Sequence, residues 1–206
     1  KEKMDLDIDV ARLKVLKADH QSQQYRMEDK LLKYFPAEIE RQTGYIRGFE
    51  ADIQTVTTHP QIVEGFCGME ILGKHYMEKE DAGEMILAAC KEMKATEPIP
   101  LGSYRGFQME LSFDSFRQEF DVVLKGAMSY RVSLGTDGRG NLIRLDNAIT
   151  SIPERMEKAE EQLTNLYNQQ EAAKAELGKP FPQEAELTAK SHRLAELDAA
   201  LNMEDT

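Results

Sequence analysis

Tyr104 and Arg105, set between Gly102 and Gly106 in "GSYRGFQ", are the residues in this chain whose types and spacing best suit chemistry. A tyrosine ring can stack on a nucleobase, and a guanidinium can hold a phosphate. The flanking glycines place the pair at an exposed bend where the backbone can come close to a ligand. Lys125, Arg131, Arg139 and Arg144 are expected on neighbouring strands, completing a basic and aromatic patch for a nucleic-acid backbone. The competing reading is a set of ordinary solvent-facing sheet residues around a glycine bulge, because acidic residues are interleaved throughout the region.

Other motifs fail on spacing. Asp5, Asp7 and Asp9 begin like a calcium loop, but Val10 stands where that loop needs Gly and Leu16 where it needs Glu. "GTDGRGNL" is glycine-rich but lacks the Lys-Ser/Thr of a phosphate-binding loop, and is read as a hairpin turn leading into a strand at "LIRL". His20, His59, His75 and His192 are scattered without metal-ligand spacing. Cys67 and Cys90 form no CxxC pair and are read as free thiols of a reducing cytoplasm. No nucleophile-elbow or zinc-protease motif occurs. No catalytic residue, metal or cofactor is therefore assigned.

The elements that position these residues are legible from periodicity. Ile152, Met156, Ala159, Leu163, Leu166, Gln170, Ala173 and Leu177 alternate steps of four and three, which is a coiled-coil seam. Ile39, Gln42, Ile46, Phe49, Ile53 and Val56 repeat the same spacing after Pro36. Before Pro36, Leu6, Val10, Leu13, Lys17, His20, Gln24, Met27 and Leu31 follow a weaker seam with a polar middle. Beyond Pro182 a leucine stripe resumes. "KYFPAE" and "KPFPQE" interrupt the two seams at similar distances from the centre. An antiparallel pairing would bring the breaks together, with Phe35, Pro36, Phe181 and Pro182 as a shared hinge.

Between the arms, "GMEILGKHYM" reads as a strand and residues 78–95 as an amphipathic helix. Residues 97–113, "EFDVVLKG", "AMSYRVSLG" and "LIRL" read as a four-strand meander, and Asp146 or Asn147 as the cap of the last arm. The fold class expected is α+β: a long antiparallel helical hairpin, a coiled coil broken near Pro36 and Pro182, carrying a small α+β domain with a mainly antiparallel sheet at its tip. Its parts are an N-terminal arm (1–59), the small domain (60–147) and a C-terminal arm (148–206).

Composition limits the function. Across 206 residues the net charge is −11, and the C-terminal stretch is the more acidic arm. That balance argues against a protein that coats nucleic acid over its whole surface. Tryptophan is absent and aromatics make up 7% of the chain, so one large core is not expected. No apolar run approaches the ~20 residues of a membrane span. The opening "KEKMDLDIDV", charged and without an initial Met, is expected to be the start of a fragment rather than a signal peptide.

Three stretches carry a resemblance: "PLGSYRGFQMELSFDSF", "VVLKGAMSYRVSLGTDGRGNLIRLDNAI" and "GKPFPQEAELTAKSHRLAELDAALNM". Together with the N-terminal helix, they resemble the C-terminal region of very large bacterial mobile-element proteins. In those proteins a DNA-methyltransferase-like part is joined to a Swi/Snf-type superfamily-two helicase. The resemblance implies a cytoplasmic, non-catalytic accessory module that positions DNA or other domains relative to the motor. Its partners would be DNA and the upstream helicase domains. The alternative is a structural or protein-docking module, self-associating through the coiled coil without touching DNA. The helicase and methyltransferase motifs are absent from the sequence, so no catalytic residue of that family has a position here.

Overall fold

The computed structural model describes residues 1–61 and 65–204. They divide into two compact units, one of Lys1–Ile39 with Thr164–Thr206 and the other of Glu40–Leu163. The fold is α+β.

Helix α1 (Glu2–Asp29), a π-helical turn (Lys30–Tyr34) and α2 (Phe35–Thr58) follow one another without interruption. The expected break at Pro36 is absent. A proline inside an α-helix lacks a donor and its ring crowds the carbonyl four residues earlier. The π turn immediately upstream relieves this: Phe35 N–H reaches back five residues to Lys30 O, and the chain continues as helix.

In the first unit, α1 packs antiparallel against α6 (Glu184–Glu204). The direction is fixed by ion pairs whose numbers fall on one helix as they rise on the other: Lys17–Glu184 (2.8 Å), Asp9–Lys190 (2.6 Å) and Lys3–Asp198 (2.8 Å). Val10 and Leu13 pack with Phe181, Leu187 and Leu194. The polar middle of the α1 seam also has a physical reason. Helix α5 (Ile152–Glu176) ends there, Gly178 turns the chain with φ 84°, and the linker's backbone groups need partners. Gln24 accepts from Gly178 N (2.8 Å) and donates to Glu176 O (3.2 Å), while the His20 ring meets Lys179 O at 2.9 Å.

The break near Pro182 is thus real, but the shared hinge is not. Phe181 lies against the His20 ring, with centroids 5.9 Å apart. Phe35 sits instead in a groove with Met27, Gln169, Ala172 and Ala173. In this register the residues opposite Phe35 are a full heptad and more before Phe181, so the two phenylalanines do not meet.

The second unit is a six-stranded antiparallel sheet of order β2-β1-β3-β4-β5-β6 with helices on one face. "GMEILGKHYM" is not one strand but a hairpin, β1 (Met69–Ile71) and β2 (Lys74–Tyr76), turning at Leu72-Gly73. Residues 97–113 are likewise a hairpin, β3 (Ile99–Tyr104) and β4 (Phe107–Asp114). β5 (Glu119–Lys125) and β6 (Ser129–Ser133) follow. The inward face buries Ile71, Leu101, Tyr104, Phe107, Met109, Leu111, Val122, Leu124 and Tyr130. Fully burying one such apolar side chain stabilises by about 1.5–3 kcal/mol. α3 (Lys79–Glu92) and α4 (Gly138–Thr150) cover that face, joined by Phe49 of α2 and by Ile152 and Ala159 of α5.

"GRGNLIRL" opens helix α4 at Gly138, correcting the expected hairpin turn and strand. Asp137 is the N-cap of α4, accepting from Gly140 N at 3.0 Å. Asp146 lies within α4 and caps nothing. The glycines serve packing: a Cβ on Gly138 would stand 2.7 Å from the backbone of Gly83 in α3. Close approach of the two helices requires glycine at both positions.

Candidate functional site

Tyr104 ends β3, and Arg105 and Gly106 form the two-residue turn, with φ 50° and 85°. Tyr104 points inward, not out. Its ring is 2% exposed, and its hydroxyl donates to Asp146 Oδ1 at 2.6 Å. Burial first, then that hydrogen bond to a carboxylate, push its ionisation well above the ordinary phenol value. Arg105 Nη1 reaches the same carboxylate at 3.3 Å, and Gln61 Nε2 meets its other oxygen at 3.3 Å. Asp146 therefore gathers the β3–β4 turn and the segment after α2 onto α4. The Arg105 Nε is buried without a partner.

Beside this turn lies a cleft of ≈ 410 Å³ lined by His59, Cys67, Glu70, His75, Ser103 and Arg105 among others. The Ser103 hydroxyl donates to Glu70 Oε2 at 3.0 Å. Burial raises the Cys67 thiol's pKa, so it is held protonated, although Arg105 acts in the opposite direction. Cys90 lies elsewhere in the core, and burial pushes its thiol up to about 11. Among the described residues no three His, Cys, Asp or Glu side chains converge as metal ligands.

The other expected patch residues are not gathered on one surface. Lys125 and Arg131 do share the open face of the sheet, since Lys125 alternates with the buried Leu124 and Arg131 pairs with Val123. Each meets a carboxylate there: Lys125 with Glu110 at 2.7 Å, and Arg131 with Asp121 at 2.8 Å. Arg117 also reaches Asp121, at 2.9 Å, so two guanidiniums cover a carboxylate with no solvent exposure. Arg139 and Arg144 lie on α4, behind the sheet, not on strands. Arg139 lines a separate hollow with Glu78, Lys79 and Glu80. Arg144 Nη1 donates to Ser133 O at 3.0 Å.

Sequence reasoning missed the carboxylate that organises the β5–β6 turn. Asp52 of α2 is 1% exposed and accepts from Ala127 N (2.7 Å), Met128 N (2.9 Å) and the Tyr130 hydroxyl (2.6 Å). Its signal was its place three residues after Phe49, on the stripe that faces the core. Asp121 carried no such signal: beside inward Val122 it belongs to the open face, where Arg117 and Arg131 cover it. No family model, curated protein or solved structure matches this chain.

Proposed function

We propose that this chain is a non-catalytic positioning module of a larger DNA-processing protein, and that it works by holding protein elements rather than by gripping DNA. The DNA-processing setting rests on the resemblance to mobile-element helicase and methyltransferase proteins, and a cytoplasmic location belongs to the same reading. The choice of protein over DNA rests on one observation. The basic side chains on the open sheet face are matched by carboxylates, Lys125 by Glu110 and both Arg131 and Arg117 by Asp121. The aromatic ring meant to stack a base is internal. A phosphate approaching this face would have to displace those carboxylates, against a net charge of −11.

Titration of labelled single- and double-stranded DNA at about 50 mM and 200 mM salt tests this reading. The expected result is no saturable binding at either salt. Affinity that falls steeply with salt and is lost in Lys125→Ala or Arg131→Ala would establish the sheet face as a DNA surface and overturn it.

A further inference from the structure

We propose that the outward face of α1 docks a second copy of this chain, the two helices running parallel and in register as a two-stranded coiled coil. This goes beyond the positioning role and does not depend on it. The face that α1 turns to α6 is the seam through Val10 and Leu13. Two positions earlier at every step, and so about 200° around the helix, a second seam runs the length of α1. Met4, Ile8, Ala11, Val15, Ala18, Ser22 and Tyr25 alternate steps of four and three, and all are exposed. Exposure reaches 62% for Met4, 61% for Ile8 and for Val15, and 72% for Tyr25. A helix buried on one side has no need of a second regular apolar stripe in water.

The residues flanking that seam indicate what covers it. Ile8 and Val15 fall at the positions where β-branched side chains favour two parallel strands, and Ala11 and Ala18 at the alternate positions allow close approach. In a parallel, in-register pair, each flanking residue faces the one five places later on the other copy. Asp7 of one copy then faces Arg12 of the other, and Lys14 faces Asp19, each twice by symmetry. Gln21 facing Arg26 is neutral. An antiparallel pair also sets Arg12 against Asp19, but it places Asp7 against Glu28. Only the parallel pair leaves no like charges opposed. The register ends at the π turn, Lys30–Tyr34, where the helical phase shifts.

Sedimentation equilibrium of the full chain tests the proposal. A monomer–dimer equilibrium is expected, shifted to monomer by Val15→Lys with an unchanged far-ultraviolet spectrum, since residue 15 faces solvent in the single chain. Lys14→Glu is expected to weaken the dimer about tenfold, and combining it with Asp19→Lys to restore it. Under mild oxidation Ser22→Cys couples to its own copy, whereas Gln23→Cys, off the seam, does not. A chain that stays monomeric, or a dimer indifferent to Val15→Lys, overturns the docking face. Failure of Ser22→Cys to couple in a dimer that Val15→Lys abolishes overturns the parallel register, because an antiparallel pair sets residue 22 against Ala11.

Discussion

Three buried or half-buried carboxylates, Asp52, Asp121 and Asp146, hold polar groups of the second unit in place. Asp52 has the most to lose. Both of its oxygens accept hydrogen bonds, so removing them takes the partner from two backbone N–H groups of the β5–β6 turn and from a buried phenol. Asp52→Ala is expected to cost about 3 kcal/mol in urea unfolding, and Tyr130→Phe about 1–2 kcal/mol. Asp52→Asn should be nearly as damaging as Asp52→Ala, because its amide group would confront a donor; a mild Asn variant would show that neither the charge nor the second acceptor oxygen matters there. The same contacts set an alkaline limit. Burial and hydrogen bonds to Asp146 and Asp52 raise the ionisation of Tyr104 and Tyr130 above the ordinary value of 10.0. The unfolded chain releases those protons near pH 10 while the native chain keeps them. Their contribution is therefore fully present below that pH and is lost as pH rises beyond it. Stability measured from pH 9 to 11 should fall, and Tyr104→Phe with Tyr130→Phe should flatten the slope; an unchanged slope would refute the assignment.

At the scale of elements, glycine separates local preference from packing. Gly44 in α2 has nothing within 4 Å of an added Cβ, whereas a Cβ on Gly83 in α3 would stand 2.6 Å from the backbone of Gly138. Gly44→Ala should therefore stabilise by about 0.5–1 kcal/mol, as helix propensity dictates. Gly83→Ala should destabilise by about 1–3 kcal/mol despite the same propensity gain, because α3 and α4 must separate. Urea midpoints of the two variants moving in the same direction would refute the backbone contact. That contact also explains the main misreading of the sequence. "TDGRGN" carries turn chemistry, and its glycines open a helix only because another helix lies against them, which no local window contains. Positions governed by period alone were legible. Val10, Leu13, Phe49, Ile152, Ala159 and Leu166 on the seams are all buried, as are Phe107, Met109 and Leu111 on the alternating strand. The two tight hairpins were hidden because Leu72 and Arg105 occupy a positive-φ position usually filled by Asn, Asp or Gly. The candidate patch failed for a similar reason: residue types were legible, but Glu110, Asp121 and Asp146, which neutralise or bury them, become neighbours only through strand register and helix packing.

At the scale of the molecule, the two units have separate cores of very different size. The core of Glu40–Leu163 runs from Phe49 to Ala159 and takes in both layers of the sheet-and-helix sandwich. That of Lys1–Ile39 with Thr164–Thr206 is centred on Val10, Leu13, Phe181 and Leu187, with Leu194 against them. Around it are ion pairs such as Lys3–Asp198 and Glu2–Arg193, whose side chains are about half exposed. Exposed pairs contribute little each and less in salt. Local stability follows the density of buried apolar contacts, so the helical unit should open at lower denaturant than the sheet unit. Urea unfolding of the full chain followed by helical ellipticity should accordingly begin before the change in near-ultraviolet tyrosine signal, which Tyr104 and Tyr130 dominate from within the sheet core. Leu13→Ala, at a site with no solvent exposure, should lower the midpoint of the early change and leave the late one in place, and Leu124→Ala should do the reverse. Coincident transitions that both variants shift together would mean that the helices running through both units bind them into one cooperative body. In that case the helical unit would draw its stability from the sheet core rather than from its own few buried residues.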